Sequence, residues 1–176
     1  ILKLMNRKHT VEEYLEIINK LKNVKPNIKF SSDFIIGYPG ETYNDYKQTV
    51  ELMKDVKFIN SFSFIYSARP GTPASNLSEI NNIESKKRLI NFQIIAEQIQ
   101  NNYKKSLIDK IVPVLFENEM KTKNEYFGRD EYFNSIVVKN SENLKGKIKN
   151  VKILKSNQNT LFGVVAENFN QSNHAA

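Results

Sequence analysis

Cysteine and tryptophan are both absent from the 176 residues, and histidine occurs only as His9 and His174. Without a thiolate the chain offers no disulfide, no cluster of sulfur ligands and no Cys-His nucleophile, and two histidines so far apart in sequence do not suggest a zinc site of the usual kind. Any metal or redox chemistry of a parent protein needs ligands from elsewhere, and the redox compartment leaves no mark on this composition. Long apolar runs are missing as well. No stretch approaches the roughly 18 to 20 residues that a membrane helix needs. The opening "ILKLMNRKHT" lacks the apolar core and small-residue cleavage pattern of a signal peptide. A start on Ile1 is expected of a chain that begins inside a domain.

What is present fits a soluble globular protein, with 40% hydrophobic and 26% charged residues. The length suits one ordinary domain, or an incomplete domain with a small partner. Twenty-six Lys and Arg against 19 Asp and Glu give a net charge of +7. That balance favours a polyanionic partner such as nucleic acid, although basic proteins also stay soluble this way.

The first two thirds alternate helix and strand. Thr10 and Glu13 have the spacing of a capping box, and Val11, Tyr14, Leu15, Ile18 and Leu21 repeat at helical spacing until Pro26. Residues 28 to 36 carry Ile28, Phe30, Phe34, Ile35 and Ile36, too apolar for a half-exposed strand, which predicts a parallel strand covered on both faces. Thr42 should cap a second helix of about 13 residues, with Asp45 at its third position. "INSFSFIYS" is the next strand, with Phe62, Phe64 and Tyr66 on one face. Strand, helix, strand implies a right-handed parallel crossover. A long helix from about Glu84 to Leu107 follows, burying Leu89, Phe92, Ile95, Ile99 and Tyr103, with Lys86, Lys87 and Arg88 expected at its solvated end.

In parallel α/β units ligands gather where strands end, so "GYPGET" and "SARPGTPA" should be neighbouring loops. Gly37 and Gly40 allow a tight backbone, Pro39 stiffens it, and the amides after Thr42 suit an anion. The same pattern also serves a plain strand-to-helix turn. From Lys110 the pattern changes to short β-rich runs, "IVPVLFE", "EYFGR", "SIVVKN", "KGKIKNVKIL" and "TLFGVVAE", which predict a small OB-like barrel, a shape often used for RNA. Lys145, Lys147, Lys149, Lys152 and Lys155 form a basic stripe there, either an RNA track or a solvated edge. Lys145, Lys147 and Lys149 share parity with Val151 and Ile153, so a bend near Asn150 is expected.

The ordered set "MNRKHT", "SSDFIIGYPGET", "FSFIYSARPGTPAS", "GRDEYFNSIVV" and "TLFG" resembles, from Leu2 to about Glu167, the radical-SAM methylthiotransferases of the MiaB type. The resemblance implies an α/β fold class: residues 1–108 as the end of a radical-SAM partial barrel, 109–168 as an all-β TRAM domain that binds RNA, and 169–176 as a tail. It implies methylthiolation of carbon 2 of an isopentenyl-type adenosine beside the tRNA anticodon. S-adenosylmethionine would serve as radical source and methyl donor. Two 4Fe-4S clusters would be held by cysteines of an amino-terminal remainder, since a cofactor must carry so hard a step. A cytoplasmic monomer acting on tRNA, without a membrane, goes with this reading. Related branches act on threonylcarbamoyl-adenosine or on a ribosomal protein. A chain with no cysteine cannot catalyse the reaction unaided, and a free-standing, non-catalytic TRAM-type RNA-binding protein is the rival reading.

Carried over by the resemblance, Arg7 of "MNR" is a fork for the carboxylate of S-adenosylmethionine, or else a surface ion-pair partner. Asp33, expected inside a buried strand, must be hydrogen-bonded or face a polar cavity. Ile35 and Gly37 share its parity and would line the adenine, Tyr38, Pro39, Gly40 and Glu41 shape the rim, and Tyr66 stands on the next loop. Arg69 and Arg129 join the five lysines as candidate RNA contacts.

Overall fold

The computed structural model describes residues 1–166. The expected tail 169–176 and the last residues of the expected RNA-binding domain lie outside them. Two compact units are present, Ile1–Gln100 and the part from Asn101 onward.

In the first unit, helix α1 (Val11–Val24) begins with a full capping box. The Thr10 amide donates to Glu13 Oε2 at 2.8 Å, and the Glu13 amide donates to Thr10 Oγ1 at 3.2 Å. Helix α2 (Tyr43–Val56) uses the same device with Thr42 and Asp45. Strands β1 (Ser31–Ile36) and β2 (Asn60–Ile65) pair in parallel, with Asp33 opposite Phe62 and Ile35 opposite Phe64. Helix α3 (Asn82–Ser106) follows a short 3-10 turn at Pro73–Asn76.

Only one face of the two-stranded sheet is covered. Phe34 and Ile36 point into a core with Tyr46, Val50 and Met53 of α2, Phe92 of α3 and Ile18 of α1. Phe34 meets the rings of Phe58 and Phe92 at 5.5 and 4.9 Å. The opposite face carries Asp33, Ile35, Phe62 and Phe64, and the two phenylalanines are 63% and 57% exposed. This corrects the doubly covered strand expected from the apolar run: composition gives a second apolar face, but no element among the described residues lies on it. Helix α1 is likewise less buried than its spacing suggests, with Val11 and Leu21 exposed and only Ile18 fully inside.

The second unit is a closed barrel in the order β3 (Ile111–Glu119), β4 (Glu125–Arg129), β5 (Ser135–Lys139), β7 (Leu161–Val165), β6 (Ile148–Ser156). All pairs are antiparallel except β5 with β7. Alternation sends Val114, Phe116, Tyr126, Ile136, Val138, Val151, Ile153 and Leu161 inside, and the last turns of α3 and the residues after it add Tyr103 and Leu107 to that core. Strands pass so closely that a Cβ on Gly128 would stand 2.5 Å from the Leu115 carbonyl oxygen.

Register shifts between Phe116 and Asn118 and between Ile153 and Lys155 supply the bends that a small barrel needs. None lies at Asn150, which corrects the expected bend: β6 runs regularly against β3 from Ile148 to Lys152. The conflict of parity is resolved earlier for Lys145 and Lys147, because Lys145 and Gly146 form a turn with Gly146 at φ +74° and the strand starts only at Ile148, while Lys149 keeps the inward parity and is partly buried. Among the described residues no helix is long and apolar enough to cross a membrane.

Candidate functional site

The first unit gathers its strand-end loops as the parallel crossover requires. The Tyr66 amide donates to the Ile36 carbonyl at 2.9 Å, and the Tyr38 and Tyr66 rings meet edge to face at 5.1 Å. The Tyr38 hydroxyl donates to the Leu4 carbonyl at 3.0 Å, so the turn containing Arg7 is tied to the "GYPGET" loop. Arg7 and Arg69 are both exposed. The Arg69 carbonyl accepts from the Thr72 hydroxyl at 2.8 Å, closing the "RPGT" turn.

Glu41 holds the loop from within. Its Oε2 accepts from the Gly37 amide at 3.0 Å and its Oε1 from Arg88 Nη1 at 2.8 Å. The same guanidinium donates to the Glu41 and Thr42 carbonyls, while its Nε pairs with Glu84 at 3.0 Å. Glu41 and Arg88 are 7% and 8% exposed. Burial alone pulls the Arg88 pKa down, but the hydrogen bonds and charges of Glu41 and Glu84 outweigh it and leave it raised, so the group stays a cation. The Arg88 carbonyl accepts from the Tyr46 hydroxyl at 3.0 Å, and burial pushes that phenol's pKa up.

The structure revises three expectations. Arg88 is not at a solvated end. It lies four residues before Phe92, so the helical stripe itself puts it on the buried face, and that spacing was the signal available in the sequence. Asp33 is exposed, on the open face of the sheet beside Ile35. Gly37 does not continue that face: at φ +76° it turns toward α3, where an added Cβ would stand 2.6 Å from Ser85 Oγ. Of the first amides of α2, that of Asp45 is taken by the Thr42 hydroxyl, while the Thr42 amide donates to the Asp45 carboxylate. Glu41, too, has both oxygens engaged and positions the loop. Pro39 is buried and Gly40 exposed at φ +87° on the rim.

On the barrel the expected lysine stripe does not share one surface. Lys145 and Lys147 flank the Gly146 turn, Lys149 is partly buried on the inward parity of β6, and Lys152 lies 3.6 Å from Asp109. Lys155 sits 5.1 Å over the Phe162 ring. Arg129 pairs with Glu117 at 3.1 Å and lies 5.3 Å over Phe127. The following turn is built on buried Asp130, whose carboxylate accepts from the Tyr132 and Asn134 amides and from the Asn134 side chain at 2.7 Å. The aromatic partners Phe127 and Phe162 were missed in the sequence because strand register, not local pattern, places them.

A parallel two-strand unit with loops at its strand ends, followed by a closed five-strand barrel, defines the class. Residues 1–53 match the family model described as the Radical SAM superfamily, and residues 105–166 match that of the TRAM domain. Among curated relatives, the chain is 53% identical over 95% of its length to the tRNA-2-methylthio-N(6)-dimethylallyladenosine synthase of Pelagibacter ubique. It is 45% identical over 96% to the enzyme so named in Orientia tsutsugamushi, and 44% identical over 93% to that of Buchnera aphidicola. The chain covers 37%, 38% and 37% of those relatives. The MiaB-type resemblance read from the motifs is thus borne out, for the carboxyl-terminal part of such an enzyme.

The residues present fit part of a site for S-adenosylmethionine. The Tyr66 hydroxyl is buried without a hydrogen-bond partner among the described residues, and the open face of the sheet offers the Asp33 carboxylate and the apolar surface of Ile35 and Phe64. Such a face suits a ligand with both a flat base and polar groups. Iron-sulfur clusters do not fit this chain, because it has no cysteine and no group of three or more His, Asp and Glu among the described residues could hold a metal ion.

Proposed function

We propose that residues 1–108 form the closing part of the S-adenosylmethionine site of a cytoplasmic, monomeric tRNA methylthiotransferase, and that residues 109–168 bind its tRNA. The clusters, two in number, are held by the remainder of the protein. S-adenosylmethionine supplies the radical and the methyl group. In this reading Asp33, Ile35 and Tyr66 contact the cofactor, Tyr38, Pro39 and Gly40 form the rim, Gly37 and Glu41 hold it in shape, and Arg7 takes the cofactor's carboxylate. Arg69, Arg129 and the barrel lysines serve the RNA. The substrate is N6-isopentenyladenosine next to the anticodon.

The unpartnered, buried Tyr66 hydroxyl carries the cofactor reading, since a buried donor left unmade is costly until a ligand accepts it. Calorimetric titration of the complete, cluster-loaded protein with S-adenosylmethionine tests it. Tyr66→Phe should weaken binding by about 1 kcal/mol and Arg7→Ala by about 1.5 to 3 kcal/mol. Unchanged affinity in both variants would move the cofactor away from these loops.

A further inference from the structure

Four successive strands of the barrel place one row of side chains on its outer face. The register sets Phe127 of β4 opposite Val137 of β5, Val137 opposite Phe162 of β7, and Phe162 opposite Lys155 of β6. Their chain neighbours Tyr126, Ile136 and Leu161 fill the interior, so the row faces outward by alternation. A cation lies on each ring: the Arg129 guanidinium at 5.3 Å from the Phe127 centroid and Lys155 Nζ at 5.1 Å from that of Phe162. The two rings are two strand spacings apart, about 10 Å, with Val137 between them.

We propose that this row is a stacking surface for unpaired nucleotides, in which bases settle on Phe127 and Phe162 while Arg129 and Lys155 move from the rings to the flanking phosphates. This rests on the reading of the barrel as the RNA-binding part. Phe127 and Phe162 are half-buried, Lys155 is exposed and the Arg129–Glu117 pair is 40% and 42% exposed; cation–π contacts that water reaches are weak, so neither cation is committed to its present partner. Every base has a π-face, which makes such a surface tolerant of sequence but selective for single strands, because the bases of a duplex are already stacked. The charge of +7 supplies the attraction for a polyanion. The RNA candidates expected on the barrel were the five lysines and Arg129 alone; the rings give those cations something to alternate with.

The absence of tryptophan makes a direct test available. Phe162→Trp, and separately Phe127→Trp, each place a single fluorophore in the row of the 176-residue chain. Titration with an oligouridylate of about eight nucleotides should quench that fluorescence, whereas inorganic polyphosphate of similar charge should leave it unchanged. In the double variant Phe127→Leu, Phe162→Leu, affinity for the oligouridylate should fall by at least about 30-fold, with polyphosphate binding held within about twofold. Salt-dependent RNA binding with unchanged emission from both reporters, or an equal loss toward RNA and polyphosphate, would overturn the stacking role. No RNA binding by the parent chain would overturn the reading of the barrel itself, and the row with it.

Discussion

Replacing Arg88 by methionine removes one half of a buried ion pair and leaves Glu41 with an uncompensated charge. The side chains of the pair are 9% and 4% exposed and meet at 2.8 Å. Breaking such a pair typically costs about 3 to 5 kcal/mol, because the remaining charge stays out of water. The loss should therefore be a large part of the roughly 5 to 15 kcal/mol that holds a domain together. Arg88→Lys keeps the charge but cannot reach Glu41, Glu84 and two carbonyls at once, and should lose less.

Urea unfolding followed through amide exchange in residues 31 to 56 reads the first unit without requiring the barrel to unfold with it. The double variant Arg88→Met, Glu41→Gln should recover part of the loss, since no lone charge remains. The Gly37 amide, which donates to Glu41 at 3.0 Å, should exchange faster in every variant. A loss below about 1 kcal/mol for Arg88→Met, or a double variant less stable than the single one, would refute the clamp.

Phe62→Ser with Phe64→Ser should suppress self-association and dye binding of the chain while changing its stability by less than about 0.5 kcal/mol, because both rings are exposed on the uncovered face; a large loss of stability would mean that the face is covered. Burial pushes the Tyr103 phenol up to about 12. Its contribution should therefore be complete below the ordinary tyrosine pKa of about 10 and be lost as the pH rises through that higher value, which alkaline unfolding would show and Tyr103→Phe would flatten. Lys145 and Lys147 flank an exposed turn, so replacing both by alanine should reduce the log-log salt slope of RNA binding by about 1.4 to 1.8. Parallel lines for parent and variant in filter binding would show that these lysines only solvate the turn.

Local chemistry was legible in the sequence. Thr10 with Glu13 and Thr42 with Asp45 cap their helices because a cap needs only a side chain and an amide three residues on. The five β-rich runs became the five barrel strands because alternation with turns is a property of each segment by itself. The order of short motifs gave the family resemblance, and the lack of cysteine ruled out cluster ligands in this chain. Tertiary structure decided what depends on distant partners. Asp33 is wet because nothing among the described residues covers its face, although the run around it reads as buried. Arg88 is dry because Glu41, 47 residues earlier, gives its charge a partner inside. Phe127, Val137, Phe162 and Lys155 form a row only through the register of four strands, one pair of them parallel. A one-residue slip in any pair would break the row, and no local pattern encodes that register.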